Sequence, residues 1–102
     1  MSNKYQFGKI YRLISTESND TYIGSTTLPL KMRFWRHLAL SKRISTNNKL
    51  YSEMNRIGLK TFKIELLEDY PCNDNKELIE REAYYIKECS PTLNTYMLST
   101  NK

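Results

Sequence analysis

A change of hydrophobic period along the 102 residues limits the fold more than any other feature. Gly8 to Ser15 and Thr21 to Ser25 concentrate isoleucine, tyrosine and leucine in short runs, which reads as two strands. Ser15-Thr-Glu-Ser-Asn-Asp20 between them is polar, so they are expected to form a hairpin whose loop is longer than the tightest kind. Beyond the hairpin the period lengthens. Pro29 suits a first helical turn with Ser25 or Thr27 as its cap, and Leu30, Phe34 and Leu38 mark a helix fading near Ile44. Ser45 to Asn48 separates it from a second helix with Leu50, Met54 and Ile57 at i, i+4 and i+7, which Gly58 stops. Thr61 to Leu67 returns to the two-residue period, with Phe62, Ile64 and Leu66 inward. Asp74 or Asn75 caps a third helix ending near Cys89. The tail after Pro91 is short and irregular, with Tyr96-Met97-Leu98 able to pack.

The expected order is β-β-α-α-β-α. It describes a small α/β sandwich, a three-stranded sheet (β-hairpin plus one further strand) flanked by three helices. The length suits one domain, residues 1–102. A hydrophobic content of 39% with 12% aromatics predicts folding rather than disorder. No apolar run approaches a membrane span and no secretory leader is visible. Cys72 and Cys89 lack metal-site spacing, so the expectation is a soluble intracellular protein with reduced thiols and no membrane partner.

The net charge of +5 is a weak signal, but its distribution is not. Residues 31–63 hold Lys31, Arg33, Arg36, Lys42, Arg43, Lys49, Arg56, Lys60 and Lys63 against Glu53 alone. Residues 64–102 are net acidic. Any one lysine reads as solvated surface, whereas so lopsided a middle third points to a polyanion such as a nucleic-acid backbone. Lys31, Arg36, Lys42, Arg43, Lys49 and Lys60 are the candidate backbone contacts.

The third helix carries the sharpest chemical signal. At about 100° per residue, Leu78, Ile79, Ala83, Tyr85, Ile86 and Cys89 define an apolar arc, and Glu82 lies at its centre. A carboxylate there costs several kcal/mol unless it meets a cation, a metal or a cleft. A partly buried salt bridge, for example to Arg33, and a functional role weigh about evenly on this helix alone. On the first helix Arg33 and His37 share one border of the apolar arc, within reach of a cleft beside the sheet. Trp35 lies further round and reads as packing. Tyr11 and Tyr22 share a sheet face if the hairpin pairs odd with even residues. Gly24, lacking a Cβ, permits close approach. Tyr5, Tyr51, Tyr70, Tyr84, Tyr85 and Tyr96 read as packing or surface.

Ile10-Tyr11, Tyr22-Ile23-Gly24, Arg33-x-x-x-His37, Glu82-Ala83-Tyr84-Tyr85-Ile86 and Leu93-Asn94 stand in order from about residue 8 to residue 94. Together they resemble the GIY-YIG endonuclease catalytic domain, most closely its small viral and phage members. Lys9 stands where the family name expects glycine, and Ser25, Thr26 and Thr27 occupy a stretch where some relatives carry lysine. The resemblance implies hydrolysis of DNA phosphodiesters with one divalent metal, Mg²⁺ with Mn²⁺ as a substitute. It implies Glu82 as metal ligand, Arg33 as phosphate clamp, and Tyr11 as general base with His37 accepting the phenolic proton. Tyr22 would orient a water or phosphate oxygen, base and orienter being exchangeable between the tyrosines, and Asn94 would hold the site together.

The implied partner is DNA, duplex or branched, with RNA left open, and the chain is expected to be a monomer that can pair transiently on DNA. A rival reading from another class is a catalytically weak or inactive nucleic-acid-binding module that retains the fold. A third is a structural domain whose charges are only surface.

Overall fold

The computed structural model describes residues 3–43 and 48–94. After a short 3-10 turn at Lys4–Phe7, the chain forms strands β1 (Lys9–Ser15) and β2 (Ser18–Thr26), then helices α1 (Leu30–Ser41) and α2 (Lys49–Ile57). A second 3-10 turn, Leu59–Thr61, leads into strand β3 (Phe62–Asp69), and helix α3 (Asn75–Cys89) follows. The sheet has three strands in the order β2-β1-β3, with β1 antiparallel to both neighbours. The expected element order and fold class hold.

The hairpin is tighter than its polar stretch suggested. Only Thr16 and Glu17 form the turn, and β2 already begins at Ser18. Polar residues can continue a strand when their side chains serve its backbone: Ser15 Oγ accepts from the Glu17 N–H and Ser18 Oγ from the Asp20 N–H. Neither Ser25 nor Thr27 caps α1. Pro29 occupies that position without a side-chain bond, and the Thr26 hydroxyl instead accepts from the Leu28 N–H. Asn48 and Asp74 cap α2 and α3 through their side chains. Gly58, at φ 105°, ends α2 in the region that favours glycine. The expected fading of the first helix near Ile44, much of the Ser45–Asn48 break and the Tyr96–Leu98 packing lie outside the described residues.

Each sheet face has its own cover. Tyr11, Leu13 and Phe62 pack with Leu50, Tyr51 and Met54 of α2, and Leu30, Phe34 and Leu38 of α1 join them. On the other face Ile10 and Ile23 pack with Cys72 and Leu78, joined by Tyr85 and Ile86 of α3. The register between β1 and β3 shifts between Ile10, opposite Glu68, and Tyr11, opposite Leu66. The bulge lies beyond Leu66, so Phe62, Ile64 and Leu66 keep the expected alternation on the Tyr11 face, although Leu66 there is left 45% exposed; past it Glu68 comes opposite Ile10 on the α3 face, where Leu67 also packs.

Strand β2 is an edge, and residues 92–94 close it. Leu93 N–H donates to the Thr21 carbonyl, and the Asn94 side chain both accepts from the Ile23 N–H and donates to the Ile23 carbonyl. These contacts satisfy backbone groups that an open edge would leave for another strand.

Candidate active site

The β1–β2 register pairs Tyr11 with Gly24 and Leu13 with Tyr22, odd with even, so both tyrosines stand on one face. Their ring centroids are 6.4 Å apart. The reason for glycine at position 24 is direct. A Cβ there would fall 2.5 Å from Tyr11 Oη and 2.7 Å from its Cζ. The phenol lies over the opposite strand's backbone because nothing projects from it.

Helix α1 brings the partners of that phenol. Arg33 Nε donates to Tyr11 Oη at 3.1 Å, and Tyr11 Oη lies 2.7 Å from His37 Nε2. His37, only 1% exposed, holds Tyr51 Oη at 2.9 Å from Nδ1. Tyr51 therefore serves the polar centre as well as the packing role expected of it. It sits on the buried stripe of α2 beside Leu50 and Met54. A histidine expected near an apolar face needs a partner at each ring nitrogen, and that need is the signal that could have drawn attention to a tyrosine on the facing helix.

Burial decides the resting protonation here. It pushes the Tyr11 phenol up to about 12, with Arg33 pulling the other way through charge and hydrogen bond. Burial, seconded by the Arg33 charge, pushes His37 down to about 3. His37 is thus neutral, and taking a full proton from Tyr11 is opposed by both causes.

Glu82 approaches from α3. It is 6% exposed and accepts a hydrogen bond from Ser25 Oγ, so Ser25 partners the carboxylate rather than capping α1. Tyr11, Tyr22, Gly24, Ser25, Arg33 and Glu82 line one cleft of about 560 Å³, with Arg36, Lys4 and Ile79 also in its walls. The apolar arc of α3 is narrower than the wheel suggested, since Ile79 is 47% exposed at this cleft and Ala83 also faces solvent. Asn94 does not line the cleft. Its two bonds to Ile23 fix β2 between Tyr22 and Gly24.

The cations divide. Arg36 lines the cleft, whereas Lys31, Lys42, Arg43, Lys49 and Lys60 are exposed on outer surfaces. Lys9 is committed to the Phe7 carbonyl at 2.8 Å. Trp35 is exposed rather than packed, with Lys31 Nζ 5.5 Å from its ring centroid.

Among the described residues no three His, Cys, Asp or Glu side chains gather, so a closed zinc-type ligand set is not offered. His37 has both nitrogens engaged. One carboxylate opening on a polar cleft does suit Mg²⁺, which keeps several waters and takes one or two carboxylates beside substrate phosphate. Among the described residues no helix is long and apolar enough to cross a membrane. Cys72 and Cys89 are free thiols.

Residues 7–97 match the GIY-YIG catalytic-domain family. The chain is 32% identical over 91 residues to intron-associated endonuclease 1 of Enterobacteria phage T4, across 88% of this chain and 36% of that protein. It spans little more than a third of that relative's length. The catalytic domain of homing endonuclease I-TevI shares its fold with a TM-score of 0.73 at 26% identity, covering 90% of this chain and 99% of that domain. A single-residue variant of the same catalytic domain gives 0.72 at 29% identity, over 87% and 90%.

Proposed function

The chain belongs to the GIY-YIG catalytic-domain family, and we propose that it cuts DNA internally by hydrolysing phosphodiester bonds with one divalent cation. One observation carries this reading: phenol, guanidinium and carboxylate from both sides of the sheet line a single cleft. A domain that only bound DNA would have no use for a buried carboxylate at that place.

Arg33 holds the scissile phosphate with guanidinium donors beyond the one given to Tyr11. Tyr22 orients the water or a phosphate oxygen. Glu82, with Ser25 fixing one carboxylate oxygen, holds the cation. The cation, Mg²⁺ or in its place Mn²⁺, supplies charge stabilisation for the leaving oxygen.

Tyr11 is the base, and it reacts as phenolate. With a value near 12 the phenol stays protonated near neutrality, so its proton must leave in step with attack on the phosphate, and that needs an acceptor chain. His37 and Tyr51 are that chain. Nε2 takes the phenolic proton as Nδ1 gives its own to the Tyr51 oxygen, whose hydroxyl proton is released through the small part of Tyr51, 5%, that reaches solvent. The imidazole changes tautomer and never carries a charge. Tyr51 suits this because a hydroxyl both donates and accepts.

Plasmid nicking tests the reading. Wild-type protein should convert supercoiled to open-circular DNA with Mg²⁺ or Mn²⁺ and not with chelator. Glu82→Gln should lose this conversion by at least about 10²-fold while remaining folded and bound to DNA at low salt. Full activity in that variant would sink the assignment.

A further inference from the structure

Helix α1 has an outer face that the catalytic reading leaves unused. At about 100° per residue, Arg36 lies roughly 60° round from Arg33, Met32 roughly 100° and Trp35 roughly 160°. Arg36 lines the cleft beside Arg33. Met32 and Trp35 are 47% and 57% exposed. Lys31 closes the row with its ammonium 5.5 Å from the indole centroid. Cation, thioether, indole and cation thus form a continuous ribbon leading out of the cleft. An exposed tryptophan loses apolar burial with nothing inside the fold to repay it, and Lys31 takes up only one face of the ring.

We propose that this ribbon is a stacking platform for an unpaired base of the DNA strand held in the cleft, with Trp35 as the stacking residue. The inference rests on the nuclease reading for the place of the scissile phosphate. The charge decides the occupant. Lys31 and Arg36 flank the ring, and Lys42 and Arg43 continue the basic surface at the end of the same helix, while Leu30 to Ser41 contains no acidic residue to repel a phosphodiester. Cations that track a backbone, with an aromatic between them on which a base can lie, make up the sequence-tolerant way of holding single strands. Crossing a helix that is about 10–12 Å wide with its side chains separates ring from clamp by roughly two nucleotides of extended strand. A base in a paired duplex has both faces stacked already. The ribbon therefore favours DNA that is opened near the cut: a flap, a bulge or a junction.

Trp35 is the chain's single tryptophan, so its fluorescence reports on this surface alone. The intact chain is titrated in chelator with two oligonucleotides of one sequence, a fully paired duplex and the same duplex with an unpaired bulge. Saturable quenching should be clearly larger with the bulged DNA. By anisotropy of labelled DNA, Trp35→Ala should weaken binding of the bulged form about 5- to 150-fold, the range that stacking one base is worth, and change the paired form by less than about threefold. Trp35→Phe should recover most of the loss. Equal effects of Trp35→Ala on both DNAs would overturn the platform. A tryptophan spectrum that shifts with protein concentration before DNA is added would overturn it too, assigning the face to a second copy of the chain. Plasmid nicking with Mg²⁺, run in parallel, separates the premises: equal effects of Trp35→Ala on both DNAs with wild-type nicking intact refute the platform alone, whereas an absence of nicking refutes the nuclease reading.

Discussion

Gly24→Ala is a one-carbon change with a consequence that can be worked from distances. Its Cβ would lie 2.5 Å from Tyr11 Oη, 2.7 Å from Cζ and 3.0 Å from Tyr22 Cε2. Ordinary carbon contacts begin near 3.5 Å, so the phenol must retreat by about 1 Å or the strands must part. Neither movement is free, because the phenol is held at 2.7 Å by His37 and at 3.1 Å by Arg33. Overpacking of this kind costs about 1–3 kcal/mol, which for a domain near 100 residues lowers the melting temperature by roughly 4–8 °C per kcal/mol. A 1 Å misplacement of the base costs about 10²-fold in rate. Thermal unfolding and plasmid nicking measure the two effects on one sample. The closest clash is with the hydroxyl, so in a Tyr11→Phe background the same alanine should destabilise less, a coupling that a double-mutant cycle reads. An alanine variant with wild-type stability and wild-type nicking would refute the account of why glycine stands there.

The sole histidine gives a pH prediction. His37 falls to about 3 in the fold against an ordinary 6.5, so the unfolded chain binds the extra proton between those values and stability declines as pH falls through that window. Urea unfolding should show about 2 kcal/mol lost between pH 7 and 5, and the single imidazole NMR signal should not titrate above pH 5 in the folded protein. Tyr51→Phe keeps the ring and removes the relay's outlet; kcat should drop roughly 10- to 100-fold at a temperature where the variant is folded, with DNA affinity nearly unchanged, while the unpaired His37 Nδ1 costs about 1–3 kcal/mol of stability. Unchanged kcat with an unchanged pH profile would reduce Tyr51 to packing. Asn94→Ala removes both bonds to Ile23 and should cost about 3 kcal/mol by urea unfolding, with nicking falling even at temperatures where the variant is folded.

Local patterns made much of this legible. The two-residue and helical periods located the sheet and helices, and Glu82 stood out because the wheel surrounds it with apolar neighbours. What escaped depends on contacts between elements. Tyr51 belongs to a good apolar stripe, and only the crossing of α1 and α2 sets its hydroxyl against His37. Ser25 looked like a helix cap until β2 ran long enough to carry it to Glu82. Leu66 keeps the strand period and stands opposite Tyr11, yet it is 45% exposed because the helices on that face do not cover it. Trp35 lies further round the wheel of α1 and reads there as packing; its 57% exposure is set by where α1 meets the sheet.

The closure of β2 by residues 92–94 also bears on the timing of synthesis. Ile23 receives its partners from a residue 71 positions later in the chain. A nascent chain that has not yet added Asn94 carries Tyr11, Tyr22 and Arg33 already, but β2 between Tyr22 and Gly24 is then held on its β1 side alone. The outer edge of β2 beside the cleft is therefore completed only when residue 94 has been added and has reached back to the first hairpin. If the chain cuts DNA as proposed, this 71-residue reach places the finishing of the cleft edge late in synthesis.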